Sequence, residues 1–190
     1  VDVPGDDLVE RWDRCISSAP IQRVGTAEET DLVRVIKFTP DTKALKQNIA
    51  HRIFRNNTMG VVEAAPLTAP VVYMFLRRAN ERFQYRGELQ TGIIAGMLCA
   101  DVIDSGWDAS FIGCKEPLSD SDYETLHTLF LDNWNIDLNK WYPPHLCVCI
   151  GKGVSNQRIR GTLTLYDGSE VNYITSINED NRPSVLVEQD

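Results

Sequence analysis

The spacing of hydrophobic positions changes several times along this chain, and each change marks an element. Leu8, Val9, Trp12 and Ile16 recur at helical spacing. Ala19-Pro20 ends that helix, because a residue before proline is pushed out of the α region. Residues 21–30 are polar, contain Gly25 and predict a loop. Leu32 to Phe38 is rich in Val and Ile and predicts a strand. Thr39-Pro40-Asp41 opens a second helix with a capping hydroxyl, a first-turn proline and an early acid. Its apolar stripe is Leu45, Ile49 and Ile53. Ala69-Pro70 leads into Val71 to Leu76, a continuous apolar run that predicts a strand buried on both faces.

Glu88 to Ser105 predicts a helix that is apolar on nearly every side, with Gly92 and Gly96 four apart. Such a helix is central to a large core or lies at a subunit interface. If it pairs with its symmetry mate, a charge at Ile94 or Leu98 should abolish the dimer. Gly106 stops it, and Ala109 to Ile112 predicts a short strand ending at Gly113-Cys114. Ser121-Asp122-Tyr123-Glu124 predicts a capping box for a helix facing inward through Tyr123, Leu126 and Phe130. Trp134 to Pro144 is a long aromatic loop, and Leu146 to Ile150 is the third good strand. Gly151-Lys152-Gly153 after it is either a tight exit turn or a set of amides able to hold an anion.

The tail predicts a hairpin, Thr162 to Leu165 against Glu170 to Tyr173. A three-residue loop, Tyr166-Asp167-Gly168 with Gly168 left-handed, gathers Leu163, Leu165, Val171 and Tyr173 on one face. Residues 178–190 read as an extended arm. Helices alternating with strands, and a sheet that returns late, predict an α+β fold with an antiparallel or mixed sheet flanked by helices. No linker divides the chain, so residues 1–190 form one domain, with 154–190 as a hairpin-and-arm appendage.

Composition narrows the functions. With 27 acidic and 19 basic side chains the net charge is −8, which argues against a nucleic-acid partner. No run approaches the ~20 apolar residues of a membrane span. The start is acidic, not a signal peptide. The five cysteines are odd in number and widely spaced, which predicts reduced thiols in the cytoplasm. His145, Cys147 and Cys149 invite a metal reading. On a strand, however, alternate residues are about 6.6 Å apart, whereas thiolates sharing a zinc lie within about 4.6 Å. Buried small hydrophobes are the preferred reading, with no metal site.

Familiar catalytic patterns are absent: no G-x-S-x-G elbow, H-E-x-x-H, Walker loop or G-x-G-x-x-G. His51, His127 and His145 are too dispersed for a triad. Asp101 and Asp104 face either solvent or a partner.

The order of elements resembles the nitroreductase superfamily. Val3 to Leu8 looks like its "V-P-x-x-x-L" opening, and Ile16 to Pro20 like the following "A-P-S" turn. Leu32 to Lys46 looks like its strand-and-helix, and Ala69-Pro70-Val71-Val72 like its "A-P-V-V-I-V" strand. Glu88 to Gly113 looks like the long dimer helix running into "A-x-x-x-G-L-G". Pro144 to Gly151 looks like the "P-x-L-V-x-L-G" strand.

The resemblance implies an intertwined homodimer through residues 88–105 that binds FMN. Hydride would pass from NAD(P)H through the flavin to a nitro compound, quinone or similar acceptor. The flavin carries the chemistry, so no side chain is assigned as catalytic. By position, Gln22, Thr26 and Thr30 are the polar candidates near the ring. Ser110, Ile112 and Gly113 would lie at its reactive edge, and Gln90 at the start of the dimer helix. Lys152 and one of Arg158, Arg160 or Arg182 would meet the phosphate.

The chain also departs from the pattern. The loop after Pro20 lacks the family's asparagine and Gln-Pro-Trp, and carries Glu28, Glu29 and Asp31 instead. The Arg-rich segment that precedes the "V-P" opening is either missing or was removed before Val1. A flavin-free protein of this fold with a binding or structural role is therefore the alternative.

Overall fold

The structure, a computed structural model, describes residues 2–20, 31–56, 60–79, 84–114, 118–152 and 160–175. Helix α1 (Asp6–Ser18) leads to strand β1 (Val33–Phe38). A 3-10 turn at Pro40–Thr42 precedes α2 (Lys43–Ile53), β2 (Arg55–Asn56) and β3 (Val61–Glu63). Next come α3 (Ala64–Thr68), β4 (Val71–Arg77), α4 (Gln84–Asp104) and β5 (Asp108–Gly113). The chain continues through α5 (Asp120–Trp134), β6 (Leu146–Gly151), β7 (Arg160–Thr164) and β8 (Glu170–Ile174). One antiparallel sheet has the order β1-β4-β6-β5, and a second the order β2-β3-β8-β7, parallel only between β3 and β8.

The first sheet is buried on both sides, as the apolar run of β4 requires. Alternation sorts its side chains into two cores. Val72, Met74, Leu76, Cys147 and Cys149 face one, covered by α2, α3, α5 and Leu165 of the hairpin. Val71, Tyr73, Phe75, Val148 and Ile150 face the other, covered by α1 and α4.

Polar contacts fix α1 on that second core. Trp12 is fully buried, and its indole N–H donates to Ser105 Oγ at 3.3 Å. Asp13 accepts from the buried Tyr73 hydroxyl at 2.8 Å and pairs with Lys37 at 2.5 Å. Asp13→Ala should cost about 1–3 kcal/mol, because it strands a buried phenol. In urea denaturation the double variant Asp13→Ala/Tyr73→Phe should recover much of that loss. A double variant no more stable than the single one would contradict this account.

Several local details differ from the sequence reading. Helix α5 begins two residues earlier than expected: Ser119, not Ser121, is its N-cap, and the Ser119 hydroxyl accepts from the Asp122 amide. Thr39 is the N-cap expected, but of the 3-10 turn before α2, in a capping box with Thr42, whose hydroxyl accepts from the Thr39 amide at 2.9 Å. Cys147 and Cys149 do converge, their sulfurs 3.6 Å apart, because both point to the same face of β6. Burial, then the neighbouring thiol, pushes the Cys147 pKa up. No group of three metal-ligating side chains occurs among the described residues. The hairpin has the expected register, Leu163 opposite Val171, with Gly168 at φ 84°. Residues 178–190 lie outside the described residues.

Helix α4 settles the ambiguity of its all-round apolar surface. Ile94, Ala95, Leu98, Cys99 and Val102 face the sheet and α1. Tyr85, Leu89, Ile93, Met97 and Ile103 are exposed on the other side, Tyr85 and Ile103 by 76% and 62%. The expectation that Ile94 or Leu98 would report on a dimer is corrected: both point inward.

Candidate functional site

Strand β5 lies at the edge of the first sheet, and among the described residues nothing pairs with its outer side. The Cys114 amide donates to His145 O at 2.9 Å, which sets the alternation. Asp108, Ser110 and Ile112 therefore bond to β6, while the main-chain groups of Ala109, Phe111 and Gly113 point outward. Phe111 is 50% exposed there, and Gly113 is exposed. Ile112 is buried in the core, so its side chain is unavailable to a ligand. Ser110 is half-buried on the same inward face.

Gln90 lies in the second turn of α4. It is buried on α4, and its Nε2 donates to Pro20 O at 2.8 Å. It thus holds the chain at the point where the segment 21–30 begins. Gln22, Thr26 and Thr30 fall in that segment, outside the described residues, as do Arg158 and Arg182.

Lys152 follows β6 at the Asp108 end of β5, opposite Gly113 across the strand's length, about 17 Å for five steps. Its ammonium donates to Gly106 O and lies 4.8 Å from the Trp107 ring centre. It caps the C-terminal end of α4, where a cation is favoured. Arg160 opens β7 in the second sheet and is exposed. The described structure thus does not gather Lys152 and Arg160 around Gly113.

The Gly113 end of the sheet holds residues that the sequence reading passed over. Arg77 closes β4, and its guanidinium lies 4.2 Å over the Tyr142 ring. Its Nη2 is 3.7 Å from Glu88 on α4. His145 precedes β6. Burial, then the charge of Arg77, lowers its pKa to about 4. An arginine ending a fully buried apolar strand was the available signal.

A cavity of about 300 Å³ lies elsewhere, between α2 and the hairpin turn, lined by Ala44, Leu45, Asn48, Leu165 and Tyr166. Gln47 ties that turn down by accepting from the Tyr166 amide at 3.0 Å. The cavity contains none of the expected cofactor residues.

No protein-family profile matches the chain, and no curated protein matches it in sequence. Solved structures do match. An FMN-dependent nitroreductase from Clostridium difficile R20291 superposes with a TM-score of 0.54 over 82% of this chain and 80% of that one, at 9% identity. A nitroreductase family protein from Clostridium novyi NT gives 0.55 over 81% and 76%, at 15% identity. The chain has the nitroreductase fold. A second FMN-dependent nitroreductase from Clostridium difficile R20291 gives 0.53 over 82% and 84%, at 12% identity. At these identities the nitroreductase fold is what is shared. No helix among the described residues is long and apolar enough to cross a membrane.

Proposed function

We propose that this protein is an FMN-dependent oxidoreductase, taking hydride from NAD(P)H and reducing a nitro compound, quinone or similar acceptor. The observation that carries the reading is the open outer edge of β5, in a fold shared with two FMN-dependent nitroreductases. The main-chain groups of Phe111 and Gly113 fit the polar rim of a planar heterocycle, since Gly113 has no side chain to hold a ring away. When bound, FMN supplies the hydride and electron transfer. The chain's own part is to hold the ring edge at Phe111 and Gly113 and to keep the segment after Pro20 in place through Gln90. Ser110, half-buried beside them, offers a hydroxyl.

We place a homodimer contact on the outer face of α4. Leu89, Ile93, Met97 and Ile103 form an exposed apolar stripe, and a Cβ at Gly92 or Gly96 meets nothing within 4 Å. A second copy would cover that face at close approach. The five free thiols support a cytoplasmic location.

One observation favours the flavin-free alternative. Lys152 is committed to Gly106 and Trp107 and so is not poised for a phosphate. The two readings separate on the visible spectrum of the natural full-length protein. Flavin absorbance that bleaches on adding NADH or NADPH and returns with a nitroarene or quinone is expected. Colourless protein that also fails to take up added FMN would overturn the oxidoreductase reading and leave the flavin-free one.

A further inference from the structure

We propose that the end of the first sheet where Arg77, His145 and the first turn of α4 meet binds an oxyanion, the carboxylate or phosphate of a small ligand. Arg77 Nη1 and His145 Nδ1 are both buried there without a hydrogen-bond partner. Buried polar groups are nearly always paired, and an unpaired one costs about 1–3 kcal/mol, more when charged. Glu88 does not discharge this cost: it approaches the other guanidinium nitrogen, at 3.7 Å, beyond hydrogen-bond range.

The surroundings favour an anion over a neutral group. Arg34 on β1, Arg77 at the end of β4, Arg78 just after it and Arg86 on α4 bring four guanidinium groups to this end, against two carboxylates among the described residues, Asp31, which pairs with Arg34 at 3.2 Å, and Glu88. Arg34 and Arg78 lie 4.6 and 5.5 Å over Trp141, as Arg77 lies over Tyr142. Contact with a ring helps hold a guanidinium in place, and a fixed guanidinium fork suits an oxyanion. Gly87 lets α4 come this close. A Cβ there would lie 3.4 Å from Arg77 Cβ and 3.5 Å from Leu32 O. His145, uncharged near neutral pH because burial and Arg77 depress its pKa, adds one N–H donor in the Nδ1–H tautomer.

The Tyr142 ring over Arg77 is itself 36% exposed, so the site lies close to the protein surface. The site also adjoins the outer end of β5, since a Cβ at Gly113 would meet His145 O at 3.9 Å. If the flavin reading holds, the anion is an acidic group on the electron donor or acceptor. That assignment rests on the flavin reading, whereas anion binding by itself does not.

The test titrates the natural full-length protein separately with inorganic phosphate and with benzoate. It follows the thermal midpoint and the His145 ring nitrogens by NMR. A saturable rise in midpoint with a shift at Nδ1 is expected, and the anion that produces it identifies the phosphate or carboxylate source. Arg77→Met should weaken binding at least about tenfold. His145→Gln, which keeps a polar side chain, should weaken it in the same direction and covers the case in which Arg77→Met fails to fold. No saturable response to either anion, an equal response in the variants, or an Nδ1 that reports ordered water only would overturn the proposal. Colourless protein that binds the anion would lose the flavin reading alone, and flavin-loaded protein that does not would lose this proposal alone.

Discussion

Leu98→Asp should leave no folded protomer, whereas Ile93→Asp should leave the protomer folded and separate it from its mate. The two residues are five apart on α4 and face opposite ways. Leu98 is fully buried between α4 and the sheet. Removing a buried leucine costs about 2–5 kcal/mol. A carboxylate in its place adds the cost of an unpaired buried charge. The sum exhausts the roughly 5–15 kcal/mol that hold a domain of this kind together. Ile93 is 39% exposed, and a carboxylate there stays in water in the isolated protomer. It meets apolar surface only if a second copy covers the face. Far-UV circular dichroism should collapse for Leu98→Asp and persist for Ile93→Asp. Light scattering should halve the mass of the latter. An Ile93→Asp protein that stays paired at the same concentration would remove α4 from the interface. A folded Leu98→Asp protein would contradict the packing of the second core.

The second large effect comes from a cation in the first core. Lys46 on α2 is 2% exposed, and its ammonium donates to Ala69 O. Burial pulls its pKa down from 10.5 to about 8, offset in part by the Cys149 and Cys147 thiols. Between pH 8 and 10.5 the unfolded chain keeps this proton and the folded chain has lost it. Stability contributed by Lys46 therefore rises with pH across that window and is flat below it. The rise is on the order of 3 kcal/mol. Buried Cys99 and Tyr73 titrate in the opposite sense, because burial raises their pKa values. The measurement is thus a difference between wild type and Lys46→Met in urea denaturation. That difference should move in favour of the wild type as pH rises from 8 to 10.5. Parallel stability curves for the two proteins would show that Lys46 is not buried as a titrating amine.

Short-range pattern was enough for most of the elements. The Val and Ile content of Leu32 to Phe38, the apolar run of Val71 to Leu76 and the cap-like signals before α2 act within a few residues, so they can be read from the chain directly. The hairpin register is equally local, because one choice of loop places Leu163 and Val171 on a common face. Strands β2 and β3 were not legible. They have two and three residues, too short for a period, and β3 pairs in parallel with β8 from the far end of the chain.

The candidate site was less legible than the fold. Its position at the edge of β5 followed from the resemblance, but which groups are available did not. Ile112 and Gly113 are neighbours in sequence, yet alternation buries one and exposes the other. Lys152 looked free after a Gly-flanked strand, and the loop at Gly106 and Trp107, 46 and 45 residues earlier, occupies it. Arg77 and His145 are 68 residues apart and share a site only because β4 and β6 are hydrogen-bonded neighbours. The chain by itself therefore determined the elements, their order and the two-sided burial of the central strand, since these depend on local spacing of apolar groups. Tertiary structure alone decided which face of α4 is inward, which cations are already engaged and which buried nitrogens lack a partner. Those outcomes depend on contacts between residues far apart in sequence, and no local pattern encodes them.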